Sequence, residues 1–146
     1  MASTRSSYPD IPAMQAIFSN LETGNYAAFF THVADDVNWT VTGTHPLSGA
    51  FTNKTDLQKH ALGTIQKCMD RNGLALEVIN LAGGGSHPWA VAELRSHGNT
   101  RSGSRFDNRY AWVFRWNGQG TIEELRAYMD SALVERTIRE IEFDGE

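Results

Sequence analysis

The stretch Asp107-Asn108-Arg109-Tyr110-Ala111-Trp112-Val113-Phe114-Arg115-Trp116 contains the clearest strand pattern in the chain. Side chains alternate between the two faces of a strand, so one face carries Asn108, Tyr110, Trp112, Phe114 and Trp116. This aromatic face is predicted to be buried, and an amide within it needs hydrogen-bond partners. Asn117-Gly118 follows directly and is a strong tight-turn signal, which predicts an antiparallel partner strand over residues 121–129.

Three more segments have the composition of strands. Residues 37–42 alternate in polarity and are rich in β-branched side chains. Residues 74–81 and 89–96 form two further apolar runs, separated by Gly83-Gly84-Gly85. The second half of the chain is therefore predicted to be a meander of antiparallel strands.

Helical spacing begins near the N-terminus. Asp10 is predicted to cap a first helix, which ends near Gly24 because glycine tolerates the left-handed conformation. Asn25 is predicted to cap a second helix, which closes at Asp35-Asp36. We therefore expect two consecutive helices before the first strand.

Two more helices are predicted further along the chain. Thr55 and Gln58 form a capping-box pair, which indicates a third helix that continues to about Met69. Residues 132–141 have amphipathic spacing and predict a short helix at the C-terminal end.

The order of these elements indicates an α+β fold, with helices on one face of an antiparallel sheet. A strongly curved sheet closed by helices can leave an open-ended apolar pocket, in which small α+β cones of this type bind small molecules. Residues 1–9 are expected to be a flexible lead. Residues 10–146 are expected to form a single domain, since no repeat, low-complexity tract or linker interrupts them.

The composition argues against several classes of partner. The chain has 146 residues and a formal net charge of −4, so no broad basic surface is expected to hold nucleic acid or an anionic membrane. No apolar run is long enough to span a bilayer, and the first ten residues lack a signal-peptide core, which favours a cytoplasmic protein. Cys68 is the one cysteine, and no metal-ligand spacing or phosphate-binding motif occurs, so we expect neither metal nor cofactor.

Two polar residues are each open to two interpretations. Asp130 stands where the last strand meets the C-terminal helix. Its carboxylate either caps that helix or faces the cavity. In the cavity, burial would raise the pKa of its carboxyl, so that it could transfer a proton near neutral pH. Asn108 is either a satisfied core amide or the group that orients a polar part of a ligand.

Two histidines and one glutamate complete the candidates. His45, in the loop Thr44-His45-Pro46-Leu47, belongs to the residue type that transfers protons near neutral pH, although loop histidines are usually exposed. His60 lies beside the apolar stripe of the third helix, as a flanking residue or as a base. Glu93 interrupts an apolar strand and faces either the cavity, where a buried charge needs a partner, or an outer surface where two subunits meet.

Four segments together form a recognisable pattern: Ala34 to Val41, Pro46-Leu47-Ser48-Gly49, Asp107 to Arg115, and Arg126-Ala127-Tyr128-Met129-Asp130. This pattern resembles the nuclear transport factor 2-like superfamily, and within it the SnoaL-like polyketide cyclase group. The likeness extends over residues 12–134, which is nearly the whole domain. The resemblance implies a cone-shaped, curved antiparallel sheet with three N-terminal helices that enclose a cavity.

The resemblance also implies a catalytic site inside the cone. It implies that Asp130 faces the cavity and acts as acid or base on a carbonyl substrate, with His45 as its counterpart. Asn108 and Tyr110 would hold the developing enolate oxygen by hydrogen bonds.

Further residues are expected to bind the substrate. Trp39, Trp112 and Phe114 would shape the apolar pocket and exclude water. Scytalone-dehydratase-like members of the superfamily use cavity histidines and tyrosines, for which the candidates here are His45, His60, Tyr26 and Tyr110.

The function implied is a cofactor-independent acid–base enzyme, either a cyclase, an isomerase or a dehydratase. Its substrate would be a small apolar carbonyl intermediate of secondary metabolism, such as a polyketide or terpenoid. The superfamily also implies a homodimer formed through the outer face of the sheet. Two alternatives are a non-catalytic small-molecule-binding or dimer-scaffold protein, and an epoxide hydrolase of the limonene-epoxide-hydrolase type that uses Asp130 and Glu93.

Overall fold

The first two helices are capped by the side chains that the sequence predicts. The computed structural model of the chain describes residues 7–144. Helix α1 (Ile11–Glu22) begins at Asp10, whose carboxylate accepts a hydrogen bond from the Ala13 N–H at 3.0 Å. Helix α2 (Tyr26–Phe30) is capped in the same way by Asn25.

Helix α2 is shorter than predicted. It ends at Phe30, whereas the sequence predicted that it continues to Asp35-Asp36. Val33 is instead the first residue of strand β1 (Val33–Val41), where it is buried and paired with Ile122. The pairing with a neighbouring strand overrides the helical spacing of this short apolar segment.

The third helix is continuous but changes its hydrogen-bond pattern along its length. It consists of α3 (Lys54–Leu57), a π-helical segment (Gln58–Leu62) and α4 (Gly63–Cys68). Its cap is Asn53, not the predicted Thr55, because the Asn53 side chain accepts from the Asp56 N–H at 2.8 Å. Helix α5 (Ser131–Asp144) follows the last strand.

The strands form one six-stranded sheet in the order β2-β1-β6-β5-β4-β3. Besides β1, they are β2 (Gly49–Phe51), β3 (Ala75–Gly83), β4 (Trp89–His97), β5 (Arg109–Trp116) and β6 (Ile122–Met129). The meander from β3 to β6 is antiparallel, as predicted. Strands β1 and β6 pair in parallel, however, because the long chain between them supplies the crossover that a parallel pair needs.

The helices pack on the aromatic face of the sheet, and the α+β prediction is confirmed. Irregular registers in the pairings β1–β6, β3–β4 and β5–β6 are of the kind that bends a sheet. Phe18 of α1 packs edge-on against Phe29 of α2 at 5.1 Å, and against Phe114 of β5 at 5.3 Å. The side chains of β5 alternate as predicted, and its aromatic face is buried in the core.

The N-terminal segment is partly described. Of the lead predicted over residues 1–9, residues 1–6 lie outside the described range. The backbone N–H of Tyr8 donates to the Gly85 carbonyl at 2.9 Å, and the backbone N–H of Gly85 donates to the Pro9 carbonyl at 3.0 Å. Gly84 has a φ of +73°, and a Cβ there would lie 2.4 Å from the Pro9 oxygen, so this close approach requires glycine. Tyr8 and Pro9 are thus bound to the β3–β4 turn.

Within residues 7–144, none of the helices combines the length and the apolar character that crossing a membrane would require. The same described range contains no group of three or more histidine, cysteine, aspartate or glutamate side chains arranged to hold a metal ion.

Candidate functional site

A cavity opens between the sheet, the third helix and the start of α5. Its interior volume is about 70 Å³. Its lining consists almost entirely of apolar side chains from every layer of the fold: Trp39, Val41, Leu47, Leu57, Ala61, Leu62, Ile65, Phe106, Tyr110, Trp112, Ala127, Met129 and Val134. This apolar composition is typical of a site for a small organic molecule.

The π-helical segment forms one side of the cavity. Ala61 and Leu62 lie within it and both line the cavity, with Leu57 one turn before and Ile65 one turn after. A π segment inserts an extra residue into the helical turn, and such segments are frequent at functional sites. The small Ala61 side chain leaves space that a larger residue would fill.

Aromatic rings form the opposite wall, as the sequence predicts for three residues. Trp39 of β1 meets Trp112 of β5 edge-on at 5.3 Å, and Tyr110 meets Trp112 at 6.4 Å. All three line the cavity. Phe114 was expected there as well, but it is fully buried between Phe18 and Trp116 and belongs to the core.

Each of the three wall residues Trp39, Tyr110 and Trp112 carries one hydrogen-bond donor in its side chain. Burial raises the pKa of the Tyr110 phenol far above its ordinary value, although the Ser96 side chain opposes that shift, so the hydroxyl stays protonated. The Trp112 indole Nε1–H is buried and has no hydrogen-bond partner among the described residues. None of the described residues that line the cavity carries a charged side chain.

Asp130 is not placed as the resemblance implied. Its side chain is exposed, and its carboxylate accepts from the Leu133 N–H at 3.1 Å, which caps helix α5. The expectation that the carboxyl is buried in the cavity is therefore wrong, and the helix-cap interpretation is confirmed. Its neighbours Met129 and Val134 do line the cavity, so Asp130 lies beside the cavity wall.

Asn108 has the surroundings of a satisfied core amide. It is fully buried, and both ends of its amide bond to the backbone of Asp130. Its own N–H donates to the Ser96 hydroxyl at 2.7 Å. The side chain does not line the cavity, so the structure gives it a positioning role in place of the predicted contact with substrate.

His45 is buried, contrary to the usual exposure of loop histidines, but it does not line the cavity. The Thr42 carbonyl lies 3.0 Å from Nε2, and the Leu47 N–H donates to Nδ1 at 3.2 Å. Both ring nitrogens are thus engaged by backbone. The predicted proton transfer between His45 and a substrate does not fit this arrangement.

Three other predicted site residues lie away from the cavity. His60 is exposed and stacks on Phe51 at 6.2 Å. Glu93 is exposed on the outer face of the sheet, where it accepts from the Asn80 side chain at 3.0 Å. It cannot pair with Asp130 across the cavity, which removes the geometric basis for the epoxide hydrolase alternative. The Tyr26 hydroxyl donates to the Leu74 carbonyl at 2.6 Å, within the core.

Several lining residues were not predicted. Ala127 and Met129 alternate with outward side chains on β6, and a period-two pattern over residues 125–129 was the available signal. Leu47, by contrast, lies in a loop with no periodicity. The residues of the third helix were predicted as an inward stripe, but nothing in the sequence distinguishes packing against a core from lining a cavity.

Comparisons with known proteins agree with this geometry. No profile of an established protein family matches the chain. It is 28% identical over 131 residues to the dimerizing cyclase phiC of a fungal species, which covers 90% of this chain and 58% of that protein. It is 25% identical over 111 residues to the dimerizing cyclase tstC of Talaromyces stipitatus, covering 76% and 49%. The chain spans about half the length of these curated relatives.

Solved structures show the same fold. An NTF2-like protein from Burkholderia thailandensis superposes with a TM-score of 0.71 at 20% identity, over 86% of this chain and 93% of that one. TerC, co-crystallized with polyporic acid, superposes with a TM-score of 0.70 at 15% identity, over 90% and 98%. The chain therefore has the NTF2-like fold expected from the sequence, and it is similar in sequence to two dimerizing cyclases.

Proposed function

We propose that the protein is a cofactor-independent cyclase that folds a small, apolar carbonyl compound inside the aromatic-walled cavity. The cavity itself carries this proposal, because its described lining is almost entirely apolar and has no charged side chain. The buried part of the substrate is therefore uncharged, since an unpaired charge there would be very costly. The apolar walls hold the chain of the substrate in a folded conformation, which brings its reacting carbons together.

Tyr110 supplies the polar contact in this mechanism. Its protonated phenol donates a hydrogen bond to the carbonyl oxygen on which negative charge develops when the neighbouring carbon loses a proton. Such a bond is strong in the water-poor cavity, where the effective dielectric constant is low.

Asp130 is the proposed proton acceptor. Among the described residues, the lining contains no carboxylate and no imidazole, so the acceptor comes from the edge of the cavity. Asp130 stands there between Met129 and Val134, and its carboxylate is open to water. A substrate that extends to the mouth would place its acidic carbon near this group.

The curated relatives support ring formation over isomerisation or dehydration. Both are described as dimerizing cyclases, and the similarity to phiC extends over most of this chain. TerC, which has the same fold, was co-crystallized with polyporic acid, and this supports a small organic molecule as ligand. The substrate class remains the polyketide or terpenoid carbonyl compound expected from the sequence.

Binding and turnover test this proposal together. Polyporic acid is a practical first probe, with binding followed by quenching of the cavity tryptophans. Conversion is then assayed on a panel of β-keto and unsaturated carbonyl polyketides, with products resolved by mass at one and at two substrate masses. Ala61→Leu fills the cavity and should abolish both signals, whereas Ala132→Leu makes the same change on the exposed face of α5.

Each outcome of this test is informative. Cyclised product from the native chain and none from Ala61→Leu supports the cyclase. Binding without conversion of any panel member would instead indicate a small-molecule-binding protein. Equal conversion by Ala61→Leu would remove the cavity as the reaction site.

We also propose that the protein forms a homodimer through the outer face of the sheet. The centre of that face carries the short apolar side chains Val91, Ala111 and Val113, flanked by the exposed rings of Trp89 and Tyr128. Light scattering at micromolar concentration should give a molar mass twice that of the chain. The Val113→Lys variant should give the mass of a single chain. A monomeric mass for the native chain would contradict this proposal. The cytoplasmic location expected from the sequence stays a prediction.

A further inference from the structure

The loop over residues 42–48 contributes one side chain to the cavity wall. Leu47 lines the cavity and is 7% exposed, whereas Gly43, Thr44 and Pro46 of the same loop are exposed. A loop with so few buried side chains has little packing of its own to fix Leu47. His45 is the other buried side chain of the loop, at 3% exposed.

The ring of His45 holds this loop in one arrangement. A carbonyl oxygen only accepts, so the contact of 3.0 Å between Nε2 and the Thr42 oxygen requires a proton on Nε2. The Leu47 N–H donates to Nδ1 at 3.2 Å, which requires Nδ1 to be unprotonated. The two contacts agree on one neutral tautomer, and that tautomer joins the two ends of the loop.

The same hydrogen-bond network continues to strand β6. The N–H and the hydroxyl of Thr42 both donate to the Ala127 carbonyl, at 3.1 and 2.9 Å. Ala127 lies on β6 and lines the cavity, as Leu47 does. A continuous series of hydrogen bonds therefore runs from Ala127 through Thr42 and His45 to Leu47.

We infer that His45 is a positioning residue of the cavity, whose neutral ring fixes Leu47 relative to β6 and whose protonation releases it. The inference rests on the proposed function only in treating this cavity as the substrate site. A proton on Nδ1 removes the acceptor for the Leu47 N–H and places two donors against each other. The cavity wall would then lose a fixed residue without any change at Tyr110 or Asp130.

The surroundings of the ring favour the neutral form. Burial lowers the pKa of His45 from its ordinary 6.5, and the Thr42 carbonyl and the negative charge of Glu135 on α5 oppose that shift. Gly43 and the neutral Ser131 hydroxyl also lie near the ring: a Cβ on Gly43 would lie 2.9 Å from the ring and 2.7 Å from the Ser131 hydroxyl. Because the folded-state pKa is lowered, the network is complete above pH 6.5 and is lost as the pH falls below it.

Nuclear magnetic resonance tests this inference on the free protein, without a substrate. The ring nitrogens of His45 should show the Nε2–H tautomer at pH 7.5. The methyl groups of Leu47 should titrate in parallel with the ring as the pH falls, with a midpoint below 6.5. In Glu135→Gln the loss of the negative charge should move that midpoint further down.

Two substitutions separate the two contacts. Asn in place of His45 keeps an acceptor near the Nδ1 position, so His45→Asn should retain the protection of the Leu47 amide and abolish the titration of its methyl groups. Gln keeps a donor toward Thr42, so His45→Gln should raise the exchange rate of the Leu47 amide about 10-fold, the effect of one lost hydrogen bond.

The inference is overturned if the Leu47 methyl groups do not titrate with the ring in the native protein. This measurement needs no variant, so it decides the matter even if His45→Gln fails to fold. Native protection of the Leu47 amide in His45→Gln would also contradict it. Failure of the cyclase assay leaves these readouts unaffected, because none of them involves turnover.

Discussion

The side-chain amide of Asn108 and the backbone of Asp130 exchange two hydrogen bonds. The Asp130 N–H donates to Oδ1 at 2.9 Å, and Nδ2 donates to the Asp130 carbonyl at 3.2 Å. Asn108 stands just before β5, and Asp130 stands between β6 and α5. One buried amide thus fixes the point at which the sheet turns into the last helix, next to the cavity wall.

Asn108→Ala should destabilise the fold, because it leaves the N–H and carbonyl of Asp130 without these partners. The expected loss is about 1–3 kcal/mol in the free energy of unfolding, measured by urea denaturation at pH 7. Asn80→Ala is the matched control, since Asn80 is exposed and bonds to Glu93 on the outer face. It should change stability by less than about 0.5 kcal/mol. A native-like Asn108→Ala would show that the amide does not hold this junction.

Asp130→Asn separates the proposed proton transfer from helix capping. Asparagine caps helices as well as aspartate does, so the free energy of unfolding should stay within about 0.5 kcal/mol. It cannot accept a proton, so turnover should fall by about 10²-fold or more. Asp10→Asn makes the same change at the cap of α1 and should keep full turnover. Unchanged turnover in Asp130→Asn would leave this carboxylate as a helix cap alone.

Tyr110→Phe removes one hydroxyl from the cavity and keeps the ring. Turnover should fall by about 10²-fold, which is the scale found when a donor to a developing oxyanion is lost. Binding of polyporic acid should change little. Tyr26→Phe is the comparison, because the Tyr26 hydroxyl bonds to the Leu74 carbonyl away from the cavity. That variant should lose about 1 kcal/mol of stability and no activity. Equal turnover in the two variants would contradict the role of Tyr110.

Tyr26 also predicts a loss of stability in alkali. Burial raises the pKa of its phenol from 10 to about 12. Between these values the unfolded chain has released this proton and the folded chain has kept it, so the contribution is present below pH 10 and falls as the pH rises toward 12. Urea midpoints measured from pH 9 to 11.5 should therefore decline less steeply in Tyr26→Phe than in the native protein. Parallel curves would mean that the phenol ionises freely in the folded state.

Most of the fold could be predicted from local patterns. The alternation of β5 and the caps at Asp10 and Asn25 are properties of short segments, and each was confirmed. The tight turn predicted at Asn117-Gly118 is wrong in detail: Trp116 pairs with Ile122, and Gly120 has the positive φ, so the connection is wider. The parallel pairing of β1 with β6 was not predicted, because it joins segments that are distant in the sequence. The start of β1 at Val33 was missed for the same reason, since only its partner strand makes it extended.

The cavity was predicted less completely than the fold. The period of two placed Tyr110 and Trp112 on the inner face of β5, and both line the cavity. The same period could not distinguish these two residues from Phe114, which lies on the same face but in the core, because a core wall and a cavity wall use the same residue types. The polar candidates failed for a different reason: whether His45 or Asn108 meets a ligand or a backbone group depends on loop geometry that residue type does not encode.

The parallel contact between β1 and β6 constrains how the chain acquires its structure. Strand β1 is second from one edge of the sheet, and its inner neighbour β6, which pairs Ile122 with Val33, follows it only after most of the domain. Until β6 has left the ribosome, β1 has no partner on its inner side, and its backbone groups there stay open to pairing with other chains. Contacts over such separations form slowly. A nascent chain arrested before β6 would therefore be prone to aggregate, and the antiparallel segment from β3 to β5 would be the first part of the sheet able to form.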